Sequence, residues 1–269
     1  MTAFLKGHGT ENDFVVLPDL DGELTLTPEL VARLCDRRAG IGADGVLRVV
    51  RAKAEPAAGA HADEAEWFMD YRNADGSAAE MCGNGVRVYA RYLVETGLAE
   101  AGRLRLATRD GIKDVDVPAN GDVTVDMGAA VVGEPVLVDG QAAIAVDMGN
   151  PHAVLAVPSV AALGVLHPDR TDVNVEYVED RTVAGGAAGI AMRVHERGVG
   201  ETRSCGTGAC AAVAATSLRS GTPRGTSYDV EVPGGRLRVL WREDGHTLLT
   251  GPAVLVARGE LCPDWLQGP

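Results

Sequence analysis

The chain lacks several features that define common classes of protein. No apolar run is long enough to cross a bilayer, and residues 1–6 do not form the hydrophobic segment of a secretory signal peptide. There is no dense run of Lys or Arg, and the formal net charge of −13 disfavours binding to the phosphates of nucleic acid. The sequence therefore predicts a cytoplasmic protein with small polar partners, and with neither nucleic acid nor a membrane among them.

Cysteine is scarce, and its spacing excludes two structural uses. The cysteines are odd in number and form neither a secreted disulfide framework nor a C-x-x-C zinc site. There are five of them, at Cys35, Cys82, Cys205, Cys210 and Cys262. We therefore expect reduced thiols and no metal site.

Motifs of nucleotide-binding, zinc-dependent and serine-hydrolase enzymes are also absent. The sequence contains no G-x-x-x-x-G-K-[ST], H-E-x-x-H or G-x-S-x-G segment. Residues 40–45 match G-x-G-x-x-G, but a helix predicted from Pro28 to Arg38 precedes them and a strand predicted from Val46 to Val50 follows. A dinucleotide site requires the strand first and the helix second, so these residues are predicted to form a turn.

The composition is sufficient for a buried core. Of the 269 residues 46% are hydrophobic and 23% charged, which is typical of one or two globular domains. A helix that begins at Pro28 after the capping residue Thr27 has an apolar stripe that includes Cys35, so Cys35 is predicted to lie in the core. Apolar residues alternate in runs typical of half-buried antiparallel strands, at residues 112–117, 122–127, 228–232 and 236–241.

Two segments, Met81–Gly85 and Ser204–Gly208, repeat one design of a cysteine, a glycine, a polar residue and a second glycine. Each precedes apolar residues at i, i+3, i+4 and i+7, which predicts a helix. Gly97 and Gly221 end the two patterns at nearly the same distance. A single cysteine beside glycine is usually a packing residue. The matched pair instead favours paired chemistry in two halves derived from one unit.

The start of a helix gives such a thiol a chemical role. The first N–H groups have no partner within the helix, and the aligned peptide dipoles place partial positive charge there. A thiol at this position loses its proton more readily, and the same N–H groups can hold a carboxylate. Each loop is therefore predicted to offer a thiolate beside an anion-binding helix start.

The repeat extends upstream of both cysteines. Asn12 precedes the apolar run 14–16, and Asn150 leads through His152 into the apolar run 153–155. The turn residues 118–121 predict a boundary between residues 1–118, which carry Cys82, and residues 119–254, which carry Cys205. Residues 255–269 are expected to return to the first half. If the halves face each other, both cysteines meet in a central cleft.

The chain resembles the diaminopimelate epimerase family nearly end to end. The segments that carry the resemblance are Met-Cys-Gly-Asn-Gly at 81–85, Gly-Asn-Pro-His at 149–152, Glu-Arg-Gly-Val-Gly-Glu-Thr at 196–202 and Cys-Gly-Thr-Gly at 205–208. Residues 8–9, 12–14 and 73–77 resemble further family segments. Gly45, where glutamine is common, and Glu11, where glycine is common, depart from the family pattern.

The resemblance implies a fold and an activity. The fold is α+β, with two pseudo-symmetric domains, each a mostly antiparallel sheet around a central helix, and an active site in the cleft between them. The activity is interconversion of LL- and meso-diaminopimelate, which supplies lysine and peptidoglycan synthesis. It requires no pyridoxal phosphate, metal or reducing cofactor. Members of the family are often homodimers, so a homodimer is expected.

The resemblance also assigns residues. Cys82 and Cys205 become the thiolate and thiol that remove and deliver the Cα proton, with His152 and Glu196 as polar groups beside them. On its spacing alone Asn174 is a strand residue with a solvated amide, and only the resemblance gives it a role. The implied substrate-binding residues are Asn12, Asn73, Gly83, Asn84, Asn150, Asn174, Arg197, Gly206 and Thr207.

Two alternatives remain open at this stage. A proline or hydroxyproline racemase also uses two cysteines in glycine-rich loops, but such loops usually have histidine where this chain has Asn84. A thiol redox or binding protein would cycle Cys82 and Cys205 through a disulfide, but redox pairs more often form C-x-x-C.

Overall fold

The computed structural model describes residues 2–182 and 188–267. Gly268 and Pro269, which end the expected returning segment, lie outside the described residues. The chain divides into two compact units. Unit 1 comprises Met1–Val123 and Ala253–Pro269, and unit 2 comprises Thr124–Pro252. The chain thus passes from unit 1 to unit 2 just after the turn at residues 118–121, and its last strand belongs to unit 1.

The strands of unit 1 form one sheet in the order β17, β1, β2, β3, β4, β5, β6. Successive pairs along it are antiparallel, antiparallel, parallel, antiparallel, parallel and antiparallel. The strands are β1 Thr2–Gly9, β2 Asn12–Pro18, β3 Gly45–Arg51, β4 Trp67–Asn73, β5 Gly102–Thr108, β6 Gly111–Val117 and β17 Val254–Leu261.

Unit 2 repeats this pattern of pairing. Its strands lie in the order β8, β9, β10, β11, β12, β14, β15. Successive pairs are antiparallel, antiparallel, parallel, antiparallel, parallel and antiparallel, the same sequence of pairings as in unit 1. β16 continues the sheet from β15 and pairs with β7, while the short β13 pairs with β12. The strands are β7 Val123–Ala129, β8 Val131–Val138, β9 Gln141–Asp147, β10 Pro151–Ala156, β11 Asn174–Thr182, β12 Ala188–Glu196, β13 Gly200–Thr202, β14 Ser227–Val232, β15 Gly235–Trp241 and β16 His246–Gly251.

Both units enclose one helix at the same place in the topology. Helix α2, Gly83–Glu95, connects the parallel strands β4 and β5, and α3, Gly206–Ser220, lies between the parallel strands β12 and β14. Each is buried on all sides over most of its length. Helix α2 packs on β1, β2 and β6, and α3 packs on the corresponding β9, β10 and β15. The predicted α+β fold with two related halves is confirmed.

Glycine ends both helices, as predicted. Gly97 and Gly221 have φ values of 74° and 68°, in the left-handed region that only glycine adopts without strain. The N–H of Leu98 then donates to the carbonyl of Leu93 at 2.9 Å, and that of Thr222 donates to Ser217 at 2.9 Å. These bonds satisfy carbonyl groups that have no partner within the helix.

The remaining helices lie in unit 1. Helix α1, Pro28–Cys35, begins as predicted, because the Oγ1 of Thr27 accepts from the N–H of Leu30 at 3.2 Å. The prediction that it continues to Arg38 is wrong, because the carboxylate of Asp36 accepts from the N–H groups of Arg38 and Ala39 and turns the chain. Short 3₁₀ helices span Ala52–Ala54 and Pro56–Asp63, and α4 spans Pro263–Gln267.

The turn predicted at residues 40–45 is confirmed. It follows α1 and leads into β3, which is the reverse of a dinucleotide-binding turn. Cys35 lies in the core beside it, 5% exposed, and burial raises the pKa of its thiol to about 11. Within residues 2–182 and 188–267, no helix has the length and apolar composition needed to cross a membrane.

A buried ion cluster supports the sheet of unit 1. The carboxylate of Asp70 on β4 has no exposed surface, and it receives hydrogen bonds from Arg72 at 2.8 Å, Arg109 at 2.5 Å and Arg48 at 3.4 Å. Burial alone would raise the pKa of Asp70, but the bonds from Arg72 and Arg109 outweigh it, so the pKa lies below its ordinary value.

Asp70→Asn is expected to lower the free energy of unfolding of unit 1 by about 3 kcal/mol, because it leaves the partly buried guanidinium groups of Arg72 and Arg109 without their counter-charge. Urea unfolding at neutral pH, followed by circular dichroism, measures this change. Since the pKa of Asp70 is lower in the folded state, its contribution is complete above the unfolded carboxyl pKa and is lost as the pH falls through the folded value. The difference between the variant and the parent should therefore shrink in acid. Asp114→Asn is the control, because that carboxylate is 74% exposed, and a loss as large as that of the Asp70 variant would contradict the explanation.

Candidate active site

Cys82 is the N-cap of α2. Its Sγ accepts from the N–H of Gly85 at 3.4 Å and donates to the Oδ1 of Asn12 at 3.5 Å. The Nδ2 of Asn84 donates to the same Oδ1 at 3.1 Å, and the Nδ2 of Asn12 donates to Asp44 at 2.8 Å. Three residues predicted from the sequence therefore meet in unit 1: a thiol and two amides fixed by hydrogen bonds.

A buried arginine, which the sequence analysis missed, supports this loop. Arg87 has no exposed surface and donates to the carbonyl of Gly83 at 3.3 Å, the Oδ1 of Asn84 at 2.9 Å and the Oγ1 of Thr10 at 3.4 Å. The signal was its helical spacing, because residues three and four apart share one face of a helix. Arg87 fixes the amide of Asn84 and adds positive charge at the start of α2.

Asn73 ends β4 and lies at the same edge of the sheet as the start of β2. It is opposite Gly45, which is itself opposite Phe14. The Nδ2 of Asn73 donates to the Oγ of Ser77 at 3.0 Å. A Cβ at Gly45 would lie 2.5 Å from the carbonyl oxygen of Arg72. The departure at position 45 is thus explained locally, because this backbone leaves no room for a side chain.

Glu11, the other departure from the family pattern, lies in a turn with positive φ. Thr10 and Glu11 form the two-residue connection between β1 and β2, and their φ values are 49° and 61°. Such hairpin turns require positive φ at both central residues, which glycine adopts most easily.

Cys205 is the N-cap of α3, in the same geometry as Cys82. Its Sγ accepts from the N–H of Gly208 at 3.4 Å and lies 3.4 Å from the Oγ1 of Thr207. Gly206 occupies the first helical turn, and Cys205 is 7% exposed. The structure therefore brings Cys205, Gly206 and Thr207 together at one helix start, as predicted.

His152 on β10 is held from both sides. Its Nδ1 lies 2.7 Å from the Oε1 of Glu176 on β11, and its Nε2 lies 3.0 Å from the Oδ1 of Asn150. The side chains of His152 and Glu176 have no exposed surface. Glu176 was not predicted, although it follows Asn174 by two residues and so shares its face of the strand.

The role expected for Asn174 from spacing alone, a solvated amide, is wrong. Asn174 is 5% exposed, and its Nδ2 donates to the carbonyl of Pro151 at 3.1 Å while its Oδ1 accepts from the N–H of Arg197 at 3.0 Å. It therefore ties the starts of β10 and β11 to the end of β12. The side chain of Arg197 is exposed, and no described residue hydrogen-bonds its guanidinium group.

Glu196 ends β12, and its Oε1 accepts from the hydroxyl of Thr202. The nearby Glu201 forms a two-pronged ion pair with Arg193, at 2.7 and 2.9 Å, and so is engaged in holding the strands. In unit 2 Thr207 contacts Cys205 and His152 contacts Glu176, while Glu196 and Glu176 act on Cys205 through their charges.

The protonation expected for a helix-capping thiol is not found at Cys205. Burial raises the pKa of Cys205 well above its ordinary value, and the charges of Glu196 and Glu176 raise it further. The Thr207 hydroxyl and the Gly208 N–H lower the pKa, but by less. The prediction that the helix start acidifies this thiol is therefore wrong for the free protein, because desolvation and two carboxylates outweigh the helix.

All five cysteines are free thiols. Among the described residues no cluster of His, Cys, Asp and Glu side chains is arranged to ligate a metal ion. The groups gathered at the two capped helix starts are thiols, amides, hydroxyls and backbone N–H groups, which suit proton transfer and the binding of a carboxylate.

Solved structures share the fold of this chain. A phenazine biosynthesis protein of the PhzF family from Bacillus anthracis aligns with a TM-score of 0.74 at 16% identity, covering 97% of this chain and 99% of that one. A hydroxyproline epimerase from Agrobacterium vitis aligns with a TM-score of 0.70 at 17% identity, covering 97% and 90%. The chain therefore has the fold shared by these two proteins.

Sequence comparison gives the family. A family model described as diaminopimelate epimerase matches residues 4–133 and 144–256. The diaminopimelate epimerase of Streptomyces coelicolor is 54% identical, with 99% of this chain and 97% of that protein covered, and that of Thermobifida fusca is 50% identical, with 96% and 97% covered. The chain belongs to the diaminopimelate epimerase family.

The equivalent glycines of the two loops should respond differently to alanine. A Cβ at Gly208 would lie 2.6 Å from the Oε1 of Glu176 and 3.3 Å from the Sγ of Cys205, whereas at Gly85 the nearest atom would be the Cδ2 of Leu47 at 3.2 Å. Gly208→Ala is expected to cost about 1–3 kcal/mol of stability, because a carboxylate held by His152 must move.

Gly85→Ala is the matched control and should be close to neutral, because a flexible methyl group yields and alanine favours the helix. Thermal unfolding of both variants measures the difference. Equal losses in the two variants would show that the Glu176 carboxylate does not occupy the space beside Gly208.

Proposed function

We propose that this protein interconverts LL- and meso-diaminopimelate by transferring a proton at Cα between two thiols, Cys82 and Cys205. The observation that carries the proposal is the repeated geometry of the two loops. In each unit a cysteine caps a buried helix, and its sulfur receives an N–H three residues on at 3.4 Å. Membership of the family, with relatives named for this activity at 54% and 50% identity, supports the choice of substrate.

Inversion at Cα requires that a proton leave one face of the carbon and another arrive at the opposite face. One base alone tends to return the proton to its original face, so two groups that exchange roles are needed. The mechanism therefore requires both thiols to reach one carbon, with a single proton between them in the free enzyme. Their titration then belongs to the pair and not to either cysteine alone.

The Cα proton of an amino acid is very weakly acidic, so the charge that moves into the carboxylate must be stabilised. We assign this role to the N–H groups of the two helix starts, at Gly83 and Asn84 and at Gly206 and Thr207. Such groups are fixed before the reaction and carry the positive end of the helix dipole. The rigid amide of Asn84, held by Arg87, is consistent with a preorganised site.

Side chains at the strand ends would bind the remaining polar groups of the substrate. We assign His152 and Glu196 to hold the reacting ammonium group and to adjust the protonation of the thiols. The exposed guanidinium of Arg197 can bind a carboxylate through two parallel hydrogen bonds. Asn12, Asn73, Asn150 and Asn174 supply amides for the distal amino-acid group, although three of them also hold the loops of their own unit together.

Two further properties remain proposals. We place the protein in the cytoplasm, because its five cysteines are all free thiols, as in reducing compartments. The homodimer suggested by the family resemblance stays a prediction, and sedimentation velocity at micromolar concentration would test it.

Incubation of LL-diaminopimelate in D₂O with the purified protein and no added cofactor tests the function. The parent should incorporate deuterium at Cα and form meso product, and Cys82→Ala and Cys205→Ala should each lower epimerisation by at least about 100-fold, because each removes one of two proton-transfer groups. NMR and chiral chromatography measure the two readouts.

Cys262→Ala is the control, because Cys262 is exposed and lies beyond the last strand. This variant should retain the parental rate. If the parent acts on proline or hydroxyproline but not on diaminopimelate, the proposed substrate is wrong. If Cys82→Ala or Cys205→Ala epimerises at the full parental rate, the two-thiol mechanism is excluded.

A further inference from the structure

Equivalent positions of the two units place different chemistry beneath the two thiols. In unit 1 Phe14 pairs with Gly45, and in unit 2 His152 pairs with Asn174 in the same parallel register. Two residues further along the second strand stand Leu47 in unit 1 and Glu176 in unit 2. The repeat therefore sets the apolar pair Phe14 and Leu47 against the polar pair His152 and Glu176.

The space beside the equivalent helix glycines shows the same difference between the units. A Cβ at Gly85 would meet Leu47 at 3.2 Å, the Cβ of Cys82 at 3.4 Å and Phe14 at 3.6 Å. A Cβ at Gly208 would meet the Oε1 of Glu176 at 2.6 Å, and both the Cβ and the Sγ of Cys205 within 3.3 Å. The Glu176 carboxylate thus lies where the other unit has a leucine methyl group, close to the capping thiol.

Burial of the Glu176 carboxylate is unfavourable, and only one of its two oxygens has a hydrogen-bond partner. It has no exposed surface, its Oε1 lies 2.7 Å from the Nδ1 of His152, and its Oε2 has no hydrogen-bond partner among the described residues. A buried carboxylate with a missing partner is destabilising relative to an apolar residue. The leucine at the equivalent position shows that this fold does not require a charge there.

We propose that Glu176 is a positioning residue for the epimerase reaction: its carboxylate fixes the His152 ring and places negative charge beside Cys205, which favours the protonated form of that thiol in the free enzyme. This inference rests on the proposed function for its link to catalysis. It assigns the two thiols different surroundings, as their opposite roles at the start of a turnover require.

The hydrogen bonds define how the ring is held. An ionised carboxylate only accepts, so the short contact to Oε1 requires that Nδ1 carry a proton and donate. The ring orientation is then fixed by Glu176, while Nε2 faces the amide of Asn150 at 3.0 Å.

The groups that act on Cys205 lie on β10, β11, β12 and α3 of unit 2. Glu196 is on β12 and Glu176 on β11, His152 on β10 contacts Glu176, and Thr207 on α3 contacts the sulfur. Burial raises the pKa of Cys205 most, followed by Glu196 and then Glu176. Removing the Glu176 charge should therefore lower the pKa of this thiol without abolishing its elevation.

Glu176→Gln removes the charge and keeps the shape, and it should change two measurements. The rate of alkylation of Cys205 by iodoacetamide, resolved from Cys210 by fragmentation of the peptide, should rise about tenfold at pH 8, because more thiolate is present. The basic limb of the profile of kcat/KM against pH, which reports loss of the last proton from the thiol pair, should move to lower pH by about one unit.

Two variants separate a charge effect from a structural one. Glu176→Asp retains the charge and should keep both profiles near those of the parent. Asp180→Asn removes an exposed carboxylate from the same strand and should leave both unchanged. Thermal unfolding confirms that each variant is folded.

Unchanged profiles in folded Glu176→Gln, or equal shifts in Glu176→Gln and Glu176→Asp, would overturn the proposal. The alkylation profile needs no substrate, so it tests Glu176 even if the parent fails to epimerise diaminopimelate. Failure of the proposed function and failure of this inference are therefore distinguishable.

Discussion

The start of a buried helix is the constraint on which this structure depends. Helices α2 and α3 are buried over most of their length, and the N–H groups of their first turns have no partner within the helix. Cysteine caps both, and each sulfur accepts one of these N–H groups at 3.4 Å. Sulfur is a weak acceptor compared with the oxygen of serine or aspartate. Both helices therefore begin with a weak cap, at the two points where the proposed reaction uses a reactive thiol and N–H groups that can bind a carboxylate.

Close packing around those helices dictates the glycines and small residues beside the cysteines. Helix α3 is built almost entirely of alanine, glycine and other small residues, which lets strands approach it from several sides. At Gly208 the space of a side chain is filled by the Glu176 carboxylate, and at Gly85 by Leu47 and Phe14. The Glu176 carboxylate thus requires glycine at position 208, whereas the side chains beside Gly85 can yield to a methyl group, although the sequence pattern is the same.

The sequence was sufficient for the elements that follow from local chemistry. The cysteine loops, the glycine stops, the Thr27 cap and the alternating strands each rest on a few neighbouring residues. Parts that depend on distant residues were missed. Asp36 ends α1 early through its own side chain, Asn174 becomes buried because it joins three segments, and Glu176 is recognised only once β10 lies beside β11. The prediction of a lowered pKa at Cys205 was wrong for the same reason. The helix dipole is a local feature of the sequence, whereas the burial of the thiol depends on distant residues.

Under the two-thiol mechanism that we propose, duplication explains how one unit can supply two groups with opposite tasks. Identical halves would give two thiols with identical surroundings and no preference for where a shared proton resides. Here the backbone repeat is retained, down to the order of parallel and antiparallel pairs, while the side chains below the thiols have diverged. An apolar pair below Cys82 and an ionic pair below Cys205 change the local dielectric and charge without moving either helix. Because a charge acts over several ångströms in a poorly solvated interior, the glutamate at a leucine position adds to burial and to Glu196 in raising the pKa of Cys205.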